Sequence, residues 1–150
     1  MAGLSNSAEN NFLLLLFNNT NWANVGDATG LRGSTAAGSF YIGLSTGTLT
    51  DTSTQTTTEA TYTNYARVAV ARSGAGWTVS GTSPTQAANA AAITFPTCGV
   101  TGNTVTDACV GRDAAGAGEI IYYGALTASL AISNGITPSF AIGALVCTAD

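Results

Sequence analysis

The fold is decided by the stretch Thr61-Tyr-Thr-Asn-Tyr-Ala-Arg-Val-Ala-Val-Ala-Arg72, which closes a Thr-rich loop and opens a run of strand-like segments. From residue 66 to residue 72, Val68 and Val70 fall on one face and the intervening small or charged residues on the other. Such alternation, with a period of two, is typical of a half-buried β-strand. We therefore predict a strand here, with a loop before it and further strands after it.

Segments of the same kind occur on both sides of this stretch. Short runs rich in aromatic and β-branched residues, bounded by Gly, Pro or Asn, are typical of strands. We predict strands at residues 39–45, 76–80, 86–95, 103–112, 119–126, 128–133 and 136–148. The segment 119–126 carries apolar residues on both faces. This pattern indicates either a central strand buried on each side or a strand at an interface.

Many short strands separated by turn residues are typical of all-β proteins. The 150 residues are enough for one domain with a core, and the sequence shows neither a linker nor an internal repeat. We predict one all-β domain over residues 1–150, an antiparallel β-sandwich or jelly-roll-like barrel with one short N-terminal helix. Residues 4–22 form the helix and an anchor, and residues 39–150 form the sandwich. The expected core comprises Phe12, Leu16, Phe40, Ile42, Val68, Val70, Trp77, Ile93, Phe95, Ile121, Tyr123 and Leu145.

A Thr-rich segment, residues 46–63, separates two of the predicted strands. Threonine occupies ten of its positions, and only Asp51 and Glu59 are charged. Loops of this length inside a compact domain are usually functional or mobile, although a Thr tract can also pair as an edge strand. We expect either a projecting arm that contacts an adjacent subunit or a flexible loop.

The N-terminal stretch Leu4-Ser-Asn-Ser-Ala-Glu-Asn-Asn-Phe-Leu-Leu-Leu-Leu-Phe17 predicts a short amphipathic helix. Asn6 followed by Glu9 resembles a capping box, and Phe12, Leu13, Leu16 and Phe17 share one face. This face either closes one end of the sandwich or docks on a neighbouring subunit, with Trp22 as an aromatic anchor in the loop that follows. The apolar run is too short for a membrane span and has no preceding positive charge. We therefore expect neither a membrane helix nor an export signal.

The composition restricts the possible partners. Only 8% of the residues are charged, the net charge is −4, and the chain has no Lys and no His. Nucleic-acid binding needs stripes of basic residues, and four scattered arginines do not form one. A surface with so few charges suits a protein that is largely covered by partners.

The residues that usually carry enzymatic chemistry are missing. Without His or Lys, the chain cannot build a Ser/His/Asp, Cys/His, Schiff-base or Ser-Lys site, so we predict no enzymatic activity and no cofactor. Asp107, Asp113 and Glu119 are the sharpest remaining candidates, as paired carboxylates or a Ca²⁺ site. The alternative for Asp113 is an ordinary turn residue.

The three cysteines, Cys98, Cys109 and Cys147, show no metal-binding spacing. We expect either three buried free thiols or one Cys98–Cys109 disulfide.

Three of the four arginines, Arg67, Arg72 and Arg112, lie in or beside predicted strands. Each guanidinium either pairs with a carboxylate of an adjoining subunit through two parallel hydrogen bonds or pairs within its own chain. Together with the N-terminal aromatic residues they form the set of predicted interaction residues: Phe12, Leu16, Phe17, Trp22, Arg67, Arg72 and Arg112.

The order of motifs resembles that of small tailed-phage virion proteins described as tail-fibre, minor tail or head-decoration components. The matching motifs are Phe40-Tyr-Ile-Gly-Leu-Ser45, Tyr65-Ala-Arg67, Trp77-Thr-Val-Ser80, Ile93-Thr-Phe-Pro96, Val105-Thr106, Gly111-Arg-Asp-Ala114 and Glu119-Ile-Ile-Tyr-Tyr-Gly124. They cover most of the chain, and none of them is catalytic. The resemblance implies a structural protein of the phage virion.

From this resemblance we expect a capsid decoration or cement protein, made in the host cytoplasm, on the capsid surface of the virion. Its expected partners are the major capsid protein and further copies of itself, in a homotrimer that matches the local threefold positions of a shell. The expected partners include neither nucleic acid nor a membrane. The alternative is a tail-fibre or minor tail protein that takes part in attachment to the host surface.

Overall fold

The computed structural model describes residues 4–82 and 85–149, so both ends of the predicted domain, residues 1–3 and 150, lie outside the described residues. The elements in chain order are α1 (Asn6–Asn18), β1 (Ser39–Ser45), β2 (Val68–Ala71), β3 (Trp77–Ser80), β4 (Thr85–Asn89), β5 (Ile93–Thr94), β6 (Asn103–Gly111), β7 (Ile120–Ile132), β8 (Ser139–Phe140) and β9 (Val146–Ala149). They form three antiparallel sheets with the orders β2-β1-β6-β7, β3-β4-β9 and β5-β8. The predicted fold class is confirmed: the chain is mostly β with a short N-terminal helix, and a β-sandwich-like fold fits it.

The chain divides into two compact units, each assembled from segments that are distant in sequence. The first unit comprises residues 1–38, 71–92 and 140–150, and the second comprises residues 39–70 and 93–139. Each unit has its own buried side chains, such as Phe17 and Trp77 in the first and Ile42 and Val110 in the second. The interpretation of the chain as one domain stays a prediction.

The N-cap of helix α1 lies one residue earlier than the capping-box pattern indicated. Ser5 has an extended backbone, and its hydroxyl accepts a hydrogen bond from the N–H of Ala8 at 3.3 Å, so Ser5 rather than Asn6 is the N-cap. The helix ends at Asn19, whose φ of 56° is left-handed, and the N–H of Thr20 donates to the carbonyl of Leu14 at 3.1 Å. This arrangement satisfies a carbonyl that the helix end would otherwise leave free.

The buried stripe of α1 faces the three-stranded sheet of the first unit. Glu9, Leu13 and Phe17 are buried at a spacing of four residues, which places them on one side of a helix. The Glu9 carboxylate accepts a hydrogen bond from the Thr85 hydroxyl at 3.1 Å, and the Phe17 ring packs on Trp77 with 4.7 Å between centroids. With 13 residues, α1 is too short to cross a membrane, and no other described helix is long and apolar enough to do so.

In the second unit, strands β1 and β6 form the middle of the four-stranded sheet. They pair antiparallel, with Ile42 opposite Val110 and Leu44 opposite Ala108, and all four of these side chains are buried. Most positions of both strands are buried, including successive residues that point to opposite faces of the sheet, and each strand has a neighbouring strand on both sides. Strands β1 and β6 therefore position the segments that pack on or beside this sheet.

Strand β7 occupies the edge of that sheet, so the expectation of a central strand buried on both faces is wrong. Only Ile132 is fully buried within β7, and Ile120, Ile121, Tyr122 and Leu126 are half-buried. The two predicted strands 119–126 and 128–133 form one strand with an irregularity between them. Its register passes from Ala125, opposite Asp107, to Leu130, opposite Val105. The alternative of a strand at an interface remains a prediction.

The expected core is confirmed at five of its positions and corrected at the others. Phe40, Ile42, Trp77, Ile93 and Phe95 are buried. The half-buried positions are Leu16, Val68, Val70, Ile121 and Leu145, and the exposed ones are Phe12 and Tyr123. Alternation along a strand identified which side chains share a face, but not how completely a neighbouring element covers that face.

The Thr-rich segment is part of the second unit and lies beside the four-stranded sheet, so the expectation of a projecting arm is wrong. Isolated bridges tie it to the sheet, between Ser45 and Glu59 and between Thr54 and Glu119. Leu49, Gln55, Ala60 and Tyr62 are buried within or at the end of the segment. Its hydroxyls bond to neighbouring backbone and side chains, as between Thr54 and Thr57, which lets a polar chain pack closely.

Candidate interaction surfaces

The Arg67 side chain ties the Thr-rich segment to the rest of the second unit. Its Nε and Nη2 donate to the two carboxylate oxygens of Glu59 at 2.6 and 2.8 Å, a bidentate pair. Further hydrogen bonds run from Nη1 to the carbonyl of Asp113 and from Nη2 to that of Gly116, each at 2.9 Å. The hydrogen bond to Glu59 is the main cause of a raised pKa for Arg67. The side chain is 2% exposed, so the intrachain alternative describes this residue.

Gln55 forms the second anchor of the segment. Its side-chain oxygen accepts from the N–H of Asp113 at 2.9 Å, and its side-chain nitrogen donates to the carbonyl of the same residue at 3.1 Å. A Cβ at Gly111 or Gly118 would lie 2.1 or 2.2 Å from the Gln55 side chain, so a larger residue at either position would displace the Gln55 amide from its place. Local patterns in the sequence did not indicate Gln55. Its signal was a single amide among hydroxyl side chains.

Arg72 holds the end of helix α1 in the first unit. Its Nε donates to the carbonyl of Leu16 at 2.6 Å and its Nη2 to that of Leu15 at 3.0 Å. Its Nη1 donates to the carbonyl of Ala37 at 3.0 Å and to the Ser34 hydroxyl at 3.3 Å. A cation beside the last carbonyls of a helix also suits the negative end of the helix dipole. The guanidinium is therefore engaged within its own chain.

Arg112 is the most accessible of the three predicted arginines, with 62% of its side chain exposed. It lies 3.5 Å from a carboxylate oxygen of Asp113 and 3.4 Å from one of Glu119. Exposed pairs of this kind contribute little to stability. Arg67 and Arg112 thus meet at Asp113, the first through its carbonyl and the second through its carboxylate.

The three carboxylates considered for catalysis or Ca²⁺ binding have separate roles. Asp107 is buried and accepts a hydrogen bond from the N–H of Leu49 at 3.3 Å. Asp113 and Glu119 flank Arg112, as described above. Among the described residues, no group of three or more His, Cys, Asp or Glu side chains is placed to hold a metal ion.

The predicted aromatic docking face divides between surface and interior. Phe12 is 38% exposed and Leu16 half-buried, whereas Phe17 lies fully inside the first unit. Trp22 is half-buried, and its backbone exchanges two hydrogen bonds with that of Leu31, at 2.8 and 2.9 Å. Phe12 therefore offers the most accessible aromatic surface of α1, and the docking role of these residues stays a prediction.

Burial accounts for the state of the cysteines. All three are buried, and none forms a disulfide. Burial raises the pKa of Cys109 to about 11 and that of Cys147 to about 12. Thiols with such pKa values are inert at neutral pH, which suits a packing role.

An exposed apolar feature of the second unit is the part of β7 that we call the β7 ribbon, residues 123–131. All of its side chains are exposed except the half-buried Leu126, and Tyr123 and Leu130 are 42% and 39% exposed. No charged residue occurs between Glu119 and Asp150. Four ribbon residues, 126–129, lie across from Thr106 alone, whose buried hydroxyl has no hydrogen-bond partner. The sequence indicated the apolar character of this strand but not its exposure.

The family model described as podophage GP4 fiber I protein gp80 matches residues 3–148 of this chain. No curated protein matches the chain significantly.

Proposed function

Because the chain belongs to the family described as podophage GP4 fiber I protein gp80, we propose that it is a non-enzymatic building block of a phage tail fibre. The family match carries this proposal, since it covers nearly the whole chain and includes both compact units. Membership makes the chain a structural protein associated with the phage virion. The fibre location and a part in attachment to the host surface belong to the proposal.

We propose the fibre function in preference to the capsid decoration that was expected from the sequence. The family description names a fibre, which favours the alternative that the sequence analysis kept open. The decoration hypothesis also relied on a projecting Thr-rich arm that would clamp neighbouring capsid subunits. That segment is held down by Gln55 and by the Glu59–Arg67 pair. Capsid decoration therefore loses one of the features that favoured it, while the low surface charge and the apolar face of the N-terminal helix remain.

The arrangement of polar groups supports a structural role. Arg67 and Arg72, which could have bound an anionic substrate, donate to groups of their own chain. Asp107 accepts a backbone N–H inside the second unit. These side chains stabilise segments of the fold, as expected for a protein whose function is to keep its shape.

Locating the protein on the virion tests the proposal most directly. Particles that carry an epitope tag on this chain are imaged with gold-labelled antibody, and untagged particles serve as the control. Gold confined to the fibres, at a few copies per particle, is the expected result. Gold distributed over the head would contradict the proposal and restore the decoration function, with the major capsid protein as partner.

A deletion phage provides a second readout. We expect particles without this protein to bind host cells poorly while withstanding heat and low salt as wild-type particles do. Complementation with the wild-type chain is the control. Normal adsorption combined with fragile heads would argue for cement.

A further inference from the structure

We propose that the loop of residues 19–34, which we call the pinned loop, docks on a different protein of the virion. The surface that receives it presents a carboxylate for Arg32 and apolar side chains beside that carboxylate. The loop follows helix α1 and belongs to the first compact unit. The proposal rests on the proposed function only in taking the partner from the same virion, at the fibre or elsewhere.

Hydrogen bonds fix the base of the pinned loop. The Asn19 side chain donates to the carbonyl of Ser34 at 2.8 Å and accepts from the N–H of the same residue at 2.6 Å. The Asn21 side-chain oxygen accepts from the N–H of Gly33 at 2.9 Å. The two ends of an exposed segment are thereby held together by groups of the segment itself.

The outer part of the pinned loop is held in one shape as well. Trp22 and Leu31 exchange two backbone hydrogen bonds, and the Asp27 carboxylate accepts from the N–H groups of Thr29 at 2.7 Å and Gly30 at 3.0 Å. Gly30 has a φ of 67°, and a Cβ there would lie 2.0 Å from the carbonyl oxygen of Trp22. Glycine therefore lets the two sides approach closely. A loop that is already in one conformation loses little conformational entropy when it docks.

The pinned loop exposes one cation and two large apolar side chains. Leu31 is 44% and Val25 38% exposed, and Arg32 follows Leu31 and is exposed too. Arginine is enriched at protein interfaces, and the fully buried part of such interfaces is more apolar than the rest of a protein surface. Anionic membranes and nucleic acids are bound by clusters of cations, and Arg32 is the only cation of this loop. A protein therefore fits the loop better than either of them.

Arg32 differs from the other three arginines of the chain. Arg67, Arg72 and Arg112 each donate hydrogen bonds to groups of their own chain. In the first unit, no described residue forms an ion pair or a hydrogen bond with the Arg32 guanidinium. A guanidinium can donate two parallel hydrogen bonds to one carboxylate, which gives both affinity and orientation. Arg32 therefore favours a partner with an available carboxylate.

A second copy of this chain is a poor source of that carboxylate. Of the eight acidic residues, all except Asp150 are described, and each described one already interacts within its own chain. The interactions are Glu9 with Thr85, Asp27 with Thr29, Asp51 with Tyr123, Glu59 with Arg67, Asp107 with Leu49, and Asp113 and Glu119 with Arg112. Breaking one of these interactions to reach Arg32 would subtract from the affinity gained. The charges therefore favour a different protein as the partner.

The number of copies of this chain on the virion measures docking. The deletion phage is complemented with variant chains, and quantitative immunoblotting of purified particles counts the copies per particle. We expect Arg32→Glu to lower this number about tenfold or more, because two carboxylates would then face each other. The matched control is Arg112→Glu, which changes the net charge equally at an exposed position of the second unit. It should stay within about twofold of the wild type, and circular dichroism checks that both purified variants are folded.

A covalent cross-link identifies the partner. The chain contains no lysine, so Arg32→Lys keeps the positive charge and places the only side-chain amine in the pinned loop. A carbodiimide joins such an amine to a carboxylate in contact with it through an amide bond and takes up the water that is lost. Mass spectrometry of treated particles should show position 32 joined to an Asp or Glu of a different virion protein. The control Arg112→Lys should give a link to Asp113 or Glu119 of its own chain.

Four results would overturn the proposal. They are a normal copy number for Arg32→Glu, an equal loss for both glutamate variants, a link from position 32 to a second copy of this chain, and no link from position 32 to any protein. The last is the result expected if Arg32 binds an anion that is not a protein. A link to the major capsid protein would support the docking surface and contradict the fibre location, so the two proposals can fail separately.

Discussion

In the Thr-rich segment and in strand β7, burial is the opposite of what hydropathy predicts. The polar segment has buried side chains, and the apolar strand is largely exposed. The segment is polar and was expected either to project or to be a flexible loop, yet it places Leu49, Gln55 and Tyr62 in the interior of the second unit. Strand β7 is apolar and was expected either at the centre of a sheet or at an interface, yet most of the ribbon is exposed. The difference shows that a few well-placed anchors decide where a segment lies, even when its average hydropathy argues for the other place.

The two regions differ in how their polar groups are satisfied. Side chains of the segment bond to one another and to the sheet, as Ser45 does with Thr58 at 2.7 Å, and two anchors secure the whole. On β7, strand β6 satisfies one edge and leaves the other open. A hydrogen bond from the Tyr123 hydroxyl to the Asp51 carboxylate connects the two regions at the surface.

The largest expected loss of stability comes from removing Arg67, the charged anchor of the Thr-rich segment. We expect Arg67→Ala to lower the free energy of unfolding by about 3–5 kcal/mol, because it leaves the Glu59 carboxylate largely buried without its partner. Urea denaturation followed by fluorescence measures the loss. The control is Arg112→Ala, whose exposed ion pairs should contribute less than about 1 kcal/mol. Equal effects of the two variants would mean that Arg67 does not hold the segment.

The neutral anchor should have a smaller effect. Gln55→Ala removes two hydrogen bonds to the backbone of Asp113 and leaves both of these groups without that partner. We expect a loss of about 1–3 kcal/mol in the same denaturation experiment. Thr56→Ala, at the exposed neighbouring position, should change stability by no more than about 0.5 kcal/mol. A loss at Thr56 as large as that at Gln55 would assign the effect to the loop in general.

We expect the free energy of unfolding to fall at alkaline pH, because burial raises the pKa of groups in the interior. Burial raises the pKa of Cys109 from 9.0 to about 11, and burial, followed by the charge of Cys98, raises that of Tyr62 from 10.0 to about 12. The unfolded chain therefore loses these protons at lower pH than the folded chain, and stability falls as pH rises. The contribution should be complete below pH 9 and decline between about 9 and 12.

The denaturation midpoint measured from pH 8 to pH 11 checks this expectation. Cys109→Ala should make the decline that begins at pH 9 less steep, whatever its effect at pH 8, and the remaining decline comes from Cys147, whose pKa burial raises from 9.0 to about 12. A curve of unchanged slope in that variant would exclude Cys109 as a source of the pH dependence.

The smallest expected change in stability is that of a substitution on the β7 ribbon. Tyr123→Phe removes the surface hydrogen bond to Asp51, and we expect its denaturation curve to superimpose on that of the wild type, because water replaces the bond. The matched variant is Tyr62→Phe, which removes a hydrogen bond at 3.0 Å from a buried tyrosine to the carbonyl of Pro96. That change should cost about 1 kcal/mol. A larger loss at Tyr123 than at Tyr62 would reverse the comparison.

Local patterns predicted much of the secondary structure. The strands at residues 39–45 and 103–112 were predicted within one residue of β1 and β6, and the helix of residues 4–17 overlaps α1. These elements can be predicted locally, because they depend on side-chain alternation and on residues within or next to the segment itself. The helix cap was displaced from Asn6 to Ser5, since both residue types suit that position.

The candidate interaction residues were predicted less completely. For Arg67 and Arg72 the sequence left partners within the chain and partners on another subunit open, and the structure shows partners within the chain for both. Their acceptors lie up to 57 positions away, as between Arg72 and Leu15, and no local pattern indicates such a pairing. Gln55 was missed for the same reason, because its partner Asp113 is 58 positions distant.

The sequence by itself determined the all-β class, the N-terminal helix and the apolar, uncharged character of β7, because each depends on residue types and on their spacing within one segment. Only the tertiary structure decided that β7 lies at an edge and that the Thr-rich segment lies against the sheet. The physical reason is that the order of strands and the burial of a loop depend on hydrogen bonds between distant segments. Alternation assigns side chains to a face, and the neighbouring strands decide whether that face or edge meets protein or water.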